Sequence, residues 1–377
     1  SRIIERNRLA LDPPIILISK NHSPNAYTIG FNCIIFNVGL LARLKTEEEL
    51  EFILSHELAH VQLKHVLQGI QRNFLVKKES EINKRSIWNK DSPITASEIV
   101  NLKSLYYQSG ELRRSREEEA DSLGFLYFTN GQNNPAQALA ALDLLAKSKE
   151  PMYPRGELLL EPLHSLEYPI QGNWFRGRPR GYEMKMSEFL IFNLDSLQSH
   201  PNIDQRKRKI QEQLKEIKTD QANFSKFSRI TGKVAEKATL DAAMFMNKYD
   251  HALHIALQFK WKYPDEDWPN SAIVSILIKV AQAKKGGVGY KYIQNYTAYY
   301  SDELKELNIV LYNLTAIEAL EMAYYFFKKP GNYNPDHETH IYLKWEINRL
   351  TGRKKQAKHY KNELREKFPE SKFLTSY

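Results

Sequence analysis

Ser55-His56-Glu57-Leu58-Ala59-His60 is the stretch on which the reading of this chain turns. It lies in a run with helical periodicity, where residues four apart stand one above the other on the same face. His56 and His60 can therefore offer two imidazole nitrogens to one metal ion. Glu57, beside the first of them, can reach a water on that ion. A charged surface helix with two unrelated histidines is the competing reading, so the stretch needs support from its surroundings. Upstream, Thr46-x-x-Glu49 forms a capping box, and Glu47 and Glu48 add negative charge to the first turn. Leu50, Ile53, Leu54, Leu58 and Val61 follow at helical spacing. No Pro or Gly interrupts the run before Gly69, and the spacing predicts helix continuing toward Lys78, ahead of a polar surface excursion over Lys77–Pro93.

Downstream, Thr95 or Ser97 can cap a helix that Ser109-Gly110 ends, and a further helix starts at Glu111 and stops at Asn130-Gly131. Asn134-Pro135 opens another, running through Leu145. A catalytic zinc usually takes three protein ligands and leaves the fourth position to water. The Glu111 helix carries Glu117-x-x-x-Asp121 on one face. Glu117 can supply the third ligand, and Asp121 can accept a hydrogen bond from a ligating imidazole and so fix its ring. Taken alone, Glu117-Glu118-Glu119 reads as a solvated charged face; beside H-E-x-x-H it reads as a ligand helix.

With 377 residues, 42% hydrophobic and 26% charged, the chain has a globular balance and room for two domains. The net charge of +9 favours acidic partners or anionic surfaces, but no nucleic-acid signature accompanies it, and nucleic acid is excluded as a partner. The single cysteine, Cys33, allows no internal disulfide and reads as a small core residue. No apolar run reaches the ~18–20 residues of a membrane span, which leaves peripheral association with a membrane open. The chain starts at Ser1 rather than Met, as it would after removal of an export signal or anchor.

Before the motif, Ile15–Ser19 reads as a strand and Ala26–Asn37 as a second strand or a hairpin, either covering the core or offering an edge to an extended peptide. Pro151–Gly181, rich in Pro and Gly and containing Trp174-Phe175-Arg176-Gly177-Arg178-Pro179-Arg180, reads as a flap over a cleft or as a solvated excursion. Ser199-His200-Pro201 precedes a basic amphipathic helix from Asn202 to about Lys218. Residues 219–232, with Gly232, read as a linker. In the C-terminal third, Ala252 and Ala357 are each followed after twelve residues by a proline, Pro264 and Pro369. That spacing resembles the second helix of tetratricopeptide repeats, whose stacked pairs bury a face that no single pair could bury alone. The units around 269–330 fit the period poorly.

Three motifs in order then carry a family resemblance: Thr46-Glu47-Glu48-Glu49-Leu50 leading into His56-Glu57-Leu58-Ala59-His60; Arg116-Glu117-Glu118-Glu119-Ala120-Asp121-x-x-Gly124; and Ser199-His200-Pro201-x-x-x-x-Arg206. Over roughly residues 25–215 the chain resembles peptidase family forty-eight, the zinc metallopeptidases that include HtpX, the CAAX prenyl proteases and the soluble BepA-like proteins. The resemblance implies a gluzincin fold, mainly α with a small antiparallel sheet beside the motif helix. It implies one Zn2+ held by His56, His60 and Glu117, and Glu57 as general base. His200 and Arg206 become candidates to stabilise the oxyanion. His200 has a second role open to it, closing the fourth zinc position and holding the enzyme latent.

The expected architecture is a metalloprotease domain over 1–218, a linker over 219–232 and a helical repeat domain over 233–377. The expected function is endopeptidase action on protein substrates in the bacterial cell envelope, as part of protein quality control, with the repeats docking clients or a protein partner. The alternative is a latched or inactive protease serving as a repeat-based adaptor or chaperone. His251 with His254, and His337 with His340, have helical spacing but no matched acidic ligand and are not expected to bind metal. His65, five residues past His60, falls off the ligand face.

Overall fold

The computed structural model describes residues 2–72, 96–131, 133–177, 203–215, 229–293 and 300–374. Two compact units emerge: Ser1–Ser148 with Gly181–Glu236, and Lys149–Arg180 with Lys237–Tyr377. None of the described helices is long and apolar enough to cross a membrane.

The first unit opens with α1 (Arg2–Arg6) and three strands, β1 (Ile15–Ser19), β2 (Ala26–Gly30) and β3 (Cys33–Asn37), ordered β1–β3–β2. Phe31 and Asn32 both take left-handed backbone, with φ of +50° and +54°. Such a two-residue turn matches the twist of a hairpin, and β2 and β3 pair antiparallel across it. β1 takes the other edge of β3. With two reversals between them, β1 and β3 run parallel. The sheet is therefore small, as expected, but mixed rather than wholly antiparallel. β3 is the strand that covers the core, with Ile34 and Phe36 buried, whereas Ile15, Ile16, Leu17 and Ile18 of β1 stay exposed. Cys33 is buried, as its sequence setting suggested.

After α2 (Val38–Leu41), the capping box forms as read from the sequence. Thr46 Oγ1 accepts from the Glu49 N–H at 3.1 Å, and Glu49 Oε2 accepts from the Thr46 N–H at 3.3 Å. It launches α3 (Glu47–Gln62). The helix then differs from expectation. It breaks at Leu63-Lys64, where Lys64 takes φ +56°, and α4 (65–72) starts in a new direction. The opposite difference occurs next: α5 (Ala96–Thr129) runs without a stop through Gly110. A mid-helix glycine costs about 1 kcal/mol relative to alanine, too little to end a helix whose later turns are packed. The expected excursion over 77–93 lies outside the described residues.

α6 (Ala136–Ala146) and α7 (Ile203–Leu214) complete this unit. Phe52, Ile53 and Leu58 of α3 pack with Ala120, Phe125 and Phe128 of α5, Leu142 of α6 and Ile210 of α7. The Phe52 and Phe128 rings meet edge to face at 5.7 Å, the arrangement that ring quadrupoles favour. Burying each such side chain contributes about 1.5–3 kcal/mol, so the core clamps α3 along the side opposite its polar motif residues.

The second unit is built from helices: α8 (Arg229–Phe245), α9 (Tyr249–Lys262), α10 (Asp267–Lys285), α11 (Gly289–Tyr292), α12 (Asp302–Asn313), α13 (Ala316–Lys328), α14 (Glu338–Leu350) and α15 (Lys354–Lys367). The division between the units falls within α8. Of the expected linker, 219–228 lies outside the described residues, and 229–232 is already helix, Gly232 included. Three helix ends share one device. Asn247, Gly287 and Gly352 take φ of +55°, +70° and +75°. The next N–H then bonds the carbonyl five residues back: Lys248 to Ala243, Val288 to Ala283, Arg353 to Asn348. This is the Schellman closure, which a left-handed residue permits. α9 and α15 then bury Ala252 and Ala357 and stop just before Tyr263-Pro264 and Phe368-Pro369.

The segment Lys149–Arg180 belongs to this second unit, and in its described part it is neither a flap nor a solvated excursion. Leu159, Leu160, Leu163 and Trp174 are buried in the helical core. The Trp174 Nε1–H donates to Glu318 Oε1 at 3.1 Å, and Asn313 Nδ2 donates to the Trp174 carbonyl at 2.9 Å. Glu303 accepts from the backbone N–H groups of Arg155 and Gly156. Proline and glycine density marked irregular backbone here, but the apolar residues between them are what placed it. The boundary expected at residue 218 thus differs from a division in which Lys149–Arg180 is grouped with the C-terminal helices.

Candidate metal centre

Two turns into α3, the motif residues face away from the core yet remain covered: His56 and Glu57 are 8% and 6% exposed. The cover comes from α5, and Gly124 makes it close. A Cβ at Gly124 would stand 2.7 Å from His56 Cα and 2.9 Å from His56 N, so no larger residue fits where the two helices meet. Glu117, Asp121 and Gly124 are spaced i, i+4, i+7 and share one face of α5. The close approach at Gly124 therefore also brings the two carboxylates to the motif.

The Nε2 atoms of His56 and His60 lie 3.1 Å apart. Glu117 Oε2 stands 3.7 Å from His56 Nε2, and Oε1 stands 3.5 Å from His60 Nε2. Among the described residues, these three side chains form a group whose ligand atoms all lie within 4.8 Å of one another. A tetrahedral zinc with bonds of ~2.0–2.1 Å has ligand–ligand edges of about 3.3–3.4 Å. Two imidazole nitrogens and a carboxylate at the observed separations fit that ion.

The Nδ1 atom of His56 lies 3.0 Å from Asp121 Oδ1, approaching off the line of a good hydrogen bond. Asp121 in turn receives Arg206 through two contacts of 2.6 Å, from Nε to Oδ2 and from Nη2 to Oδ1. Both partners are 4% exposed. Asp121 thus stands beside the His56 ring. Arg206, expected as an oxyanion donor, is delivered by α7 to Asp121 through Nε and Nη2, fork to fork. His200 lies outside the described residues.

Burial pushes the Glu57 carboxyl up to about 7, with the Glu117 charge adding to it. His56, an N–H from Thr28 on β2 and Arg206 oppose that rise. Burial drives His60 down to about 3, helped by the neighbouring His56. For His56, burial also works against the charged form, but contact with Asp121 outweighs it and the ring is raised. Asp121 is held below the usual carboxylate range: burial opposes ionisation, and the contacts from His56 and Arg206 overcome it. The centre therefore presents a neutral His60, a charge-backed His56 and a carboxyl at Glu57 that can exchange a proton near neutrality.

One neighbour escaped the sequence reading. His65 is not on the ligand face, but its Nδ1 lies 2.9 Å from His60 Nδ1. In an unbroken helix the fifth residue would point well around the cylinder. The left-handed Lys64 redirects the chain and brings the ring back. Nothing in the residue types announces that break. Gly124 entered the sequence reading only within the family motif; its spacing of i+7 from Glu117 is the signal that could have placed it. The other histidine pairs serve as hydrogen-bonding groups within the second unit: His254 Nε2 lies 3.2 Å from Glu303 Oε2, and His340 Nδ1 accepts the Asn334 N–H at 2.9 Å.

In comparison with known proteins, the model of Peptidase family M48 matches residues 1–214. No curated protein matches the chain.

Proposed function

The chain belongs to Peptidase family M48, a family of zinc metallopeptidases, and from that premise we propose that it is an endopeptidase with Glu57 as its general base. The observation that carries the reading is the convergence of His56, His60 and Glu117 beside a buried Glu57. Held by those three side chains, zinc would lower the pKa of a water toward ~7 and polarise the scissile carbonyl. Glu57 takes the proton of the attacking water and delivers it to the leaving amine. Its carboxyl, lifted to about 7 by burial, suits both transfers. Glu117 and Asp121 hold negative charge around the two rings, and Asp121 keeps His56 oriented.

β2 is an edge strand of the sheet, and the Thr28 N–H reaches the Glu57 carboxylate. That edge therefore borders the reacting centre, and an extended peptide can align beside it by strand addition. Arg206 is committed to Asp121, so His200 remains the proposed oxyanion donor or latch. A His200→Ala variant separates the two: slower turnover supports the donor, faster turnover the latch. The repeated helix closures at Asn247, Gly287 and Gly352 support a tetratricopeptide-like unit that docks clients or a partner. Placement in the bacterial envelope, in protein quality control, rests on the family resemblance.

Casein cleavage by the wild type, by Glu57→Gln and after chelation tests the core of the proposal. Glu57→Gln is expected to keep zinc and lose ~10²–10⁴ in rate, and chelation to abolish cleavage. Equal cleavage by wild type and Glu57→Gln would remove the mechanism. Zinc binding without cleavage by either would favour the adaptor reading.

A further inference from the structure

His60 carries a polar chain on the side away from His56 and Glu117. His60 Nδ1 faces His65 Nδ1 at 2.9 Å, and His65 Nε2 faces Glu119 Oε2 at 3.3 Å. Ser115 Oγ donates to Glu119 Oε1 at 3.2 Å. His65 is 4% exposed and Glu119 is 55% exposed at the side chain, so the chain leads from the buried centre to the surface.

We propose that His65 is a positioning residue for zinc, fixing the tautomer and orientation of His60 through this chain. The proposal rests on the zinc reading above, and its logic is directional. A ring that gives its Nε2 lone pair to a metal must carry its proton on Nδ1. The Nδ1–H of His60 then needs an acceptor, and the nearest is Nδ1 of His65. Accepting there, His65 must carry its own proton on Nε2, and it donates that proton to Glu119. Ser115 holds the carboxylate from its other oxygen. Each group has one role compatible with its neighbours, and the sequence of donors ends on an acceptor-only carboxylate. An imidazole backed by a chain ending on a carboxylate is oriented before the metal arrives and is a better base toward it.

The geometry depends on a backbone feature with no other evident use. Lys64 takes φ +56° between α3 and α4, a conformation that costs a non-glycine residue about 1–2 kcal/mol and that turns His65 back onto His60. Asp121 supports His56 from α5. His65 supplies the corresponding support to His60 from the start of α4.

The test measures zinc affinity by competition with a chromophoric chelator, together with the visible spectrum of the cobalt(II)-substituted protein. His65→Leu removes the acceptor and is expected to weaken zinc binding ~10–100-fold and to alter the cobalt bands. His65→Gln keeps an acceptor oxygen and is expected to recover most of the affinity. Glu119→Leu, which cuts the chain one link further out, is expected to lose less than His65→Leu. Melting of each metal-free variant shows whether it folds. Folded His65→Leu with affinity within twofold of wild type and unchanged cobalt bands would overturn the proposal. So would folded His65→Gln as weak as His65→Leu. His56→Ala and Glu117→Ala control the underlying reading. If those two leave zinc affinity intact, the metal centre itself is wrong; if they abolish binding while His65→Leu does not, only the role of His65 fails.

Discussion

His56 and His60 stand one turn apart on α3 and face one point, yet the groups behind them differ in kind. Behind His56 is a buried ion pair, Asp121 with Arg206, both 4% exposed and joined through two contacts of 2.6 Å. Behind His60 is another imidazole, His65, and then a carboxylate open to water. The first arrangement ties α3, α5 and α7 together, so it supports the fold and the site at once. The second reaches across a single turn and a surface side chain, so it can shape the site while leaving the fold alone. The protonation preferences follow: charge behind His56 raises it despite burial, while burial takes His60 down to about 3. One ring is anchored by charge, and the other is kept neutral and aimed by a hydrogen bond.

The contrast breaks most easily at its charged end. Arg206→Ala strands the Asp121 carboxylate in a buried site, and the expected loss is about 3–5 kcal/mol of stability by urea denaturation. Glu119→Ala on the other arm is expected to stay within about 0.5 kcal/mol. A loss below about 1 kcal/mol for Arg206→Ala would erase the distinction between the arms.

Between the two rings, Glu57 offers a probe of the opposite sign. A carboxyl raised from 4.5 to about 7 by burial binds more protons folded than unfolded across that window. It therefore reduces stability as pH rises from 4.5 to 7 and by a constant amount above. In the metal-free protein, Glu57→Gln is expected to gain roughly 3 kcal/mol above pH 7 and little at pH 4. Equal melting temperatures for the two proteins at pH 8 would contradict the burial argument. The variant that slows cleavage would then be the more stable protein, as expected where a site holds a charge for function.

Gly124→Ala sharpens the comparison from the His56 side, because the added methyl meets His56 Cα at 2.7 Å. Overpacking of this kind costs about 1–3 kcal/mol, and zinc affinity is expected to fall with it as Glu117 and Asp121 move off. Stability and affinity both unchanged would show that α5 can slide without cost. The smallest effect is expected at Lys64. Replacing it by Gly removes the left-handed penalty, and the gain is at most about 1 kcal/mol in thermal melting once the added chain entropy of glycine is counted. Destabilisation instead would show that the turn holding His65 is maintained by the lysine itself.

Much of the centre was legible because its signals are local. His56, Glu57 and His60 are related by one turn of helix, Thr46 and Glu49 by a capping box, and Glu117 and Asp121 by a shared face. Each is a relation between residues a few positions apart, fixed by the pitch of a helix. Readings that depended on backbone breaks fared differently. Gly110 looked like a stop and is passed through, whereas Lys64 looked like mid-helix and takes φ +56°. Segment 151–181 read as a flap over a cleft or a solvated excursion, yet in its described part Trp174 and the leucines of 159–163 pack into the second unit.

The sequence by itself thus determined which groups can bind and move a proton, and which helices present them. Periodicity and residue chemistry suffice for that. Only the tertiary structure decided what stands behind each group: that Arg206 turns to Asp121, that β1 runs parallel to β3, and that His65 returns to His60. Those outcomes depend on how distant elements pack and where one residue leaves the helical region, and no local spacing encodes either.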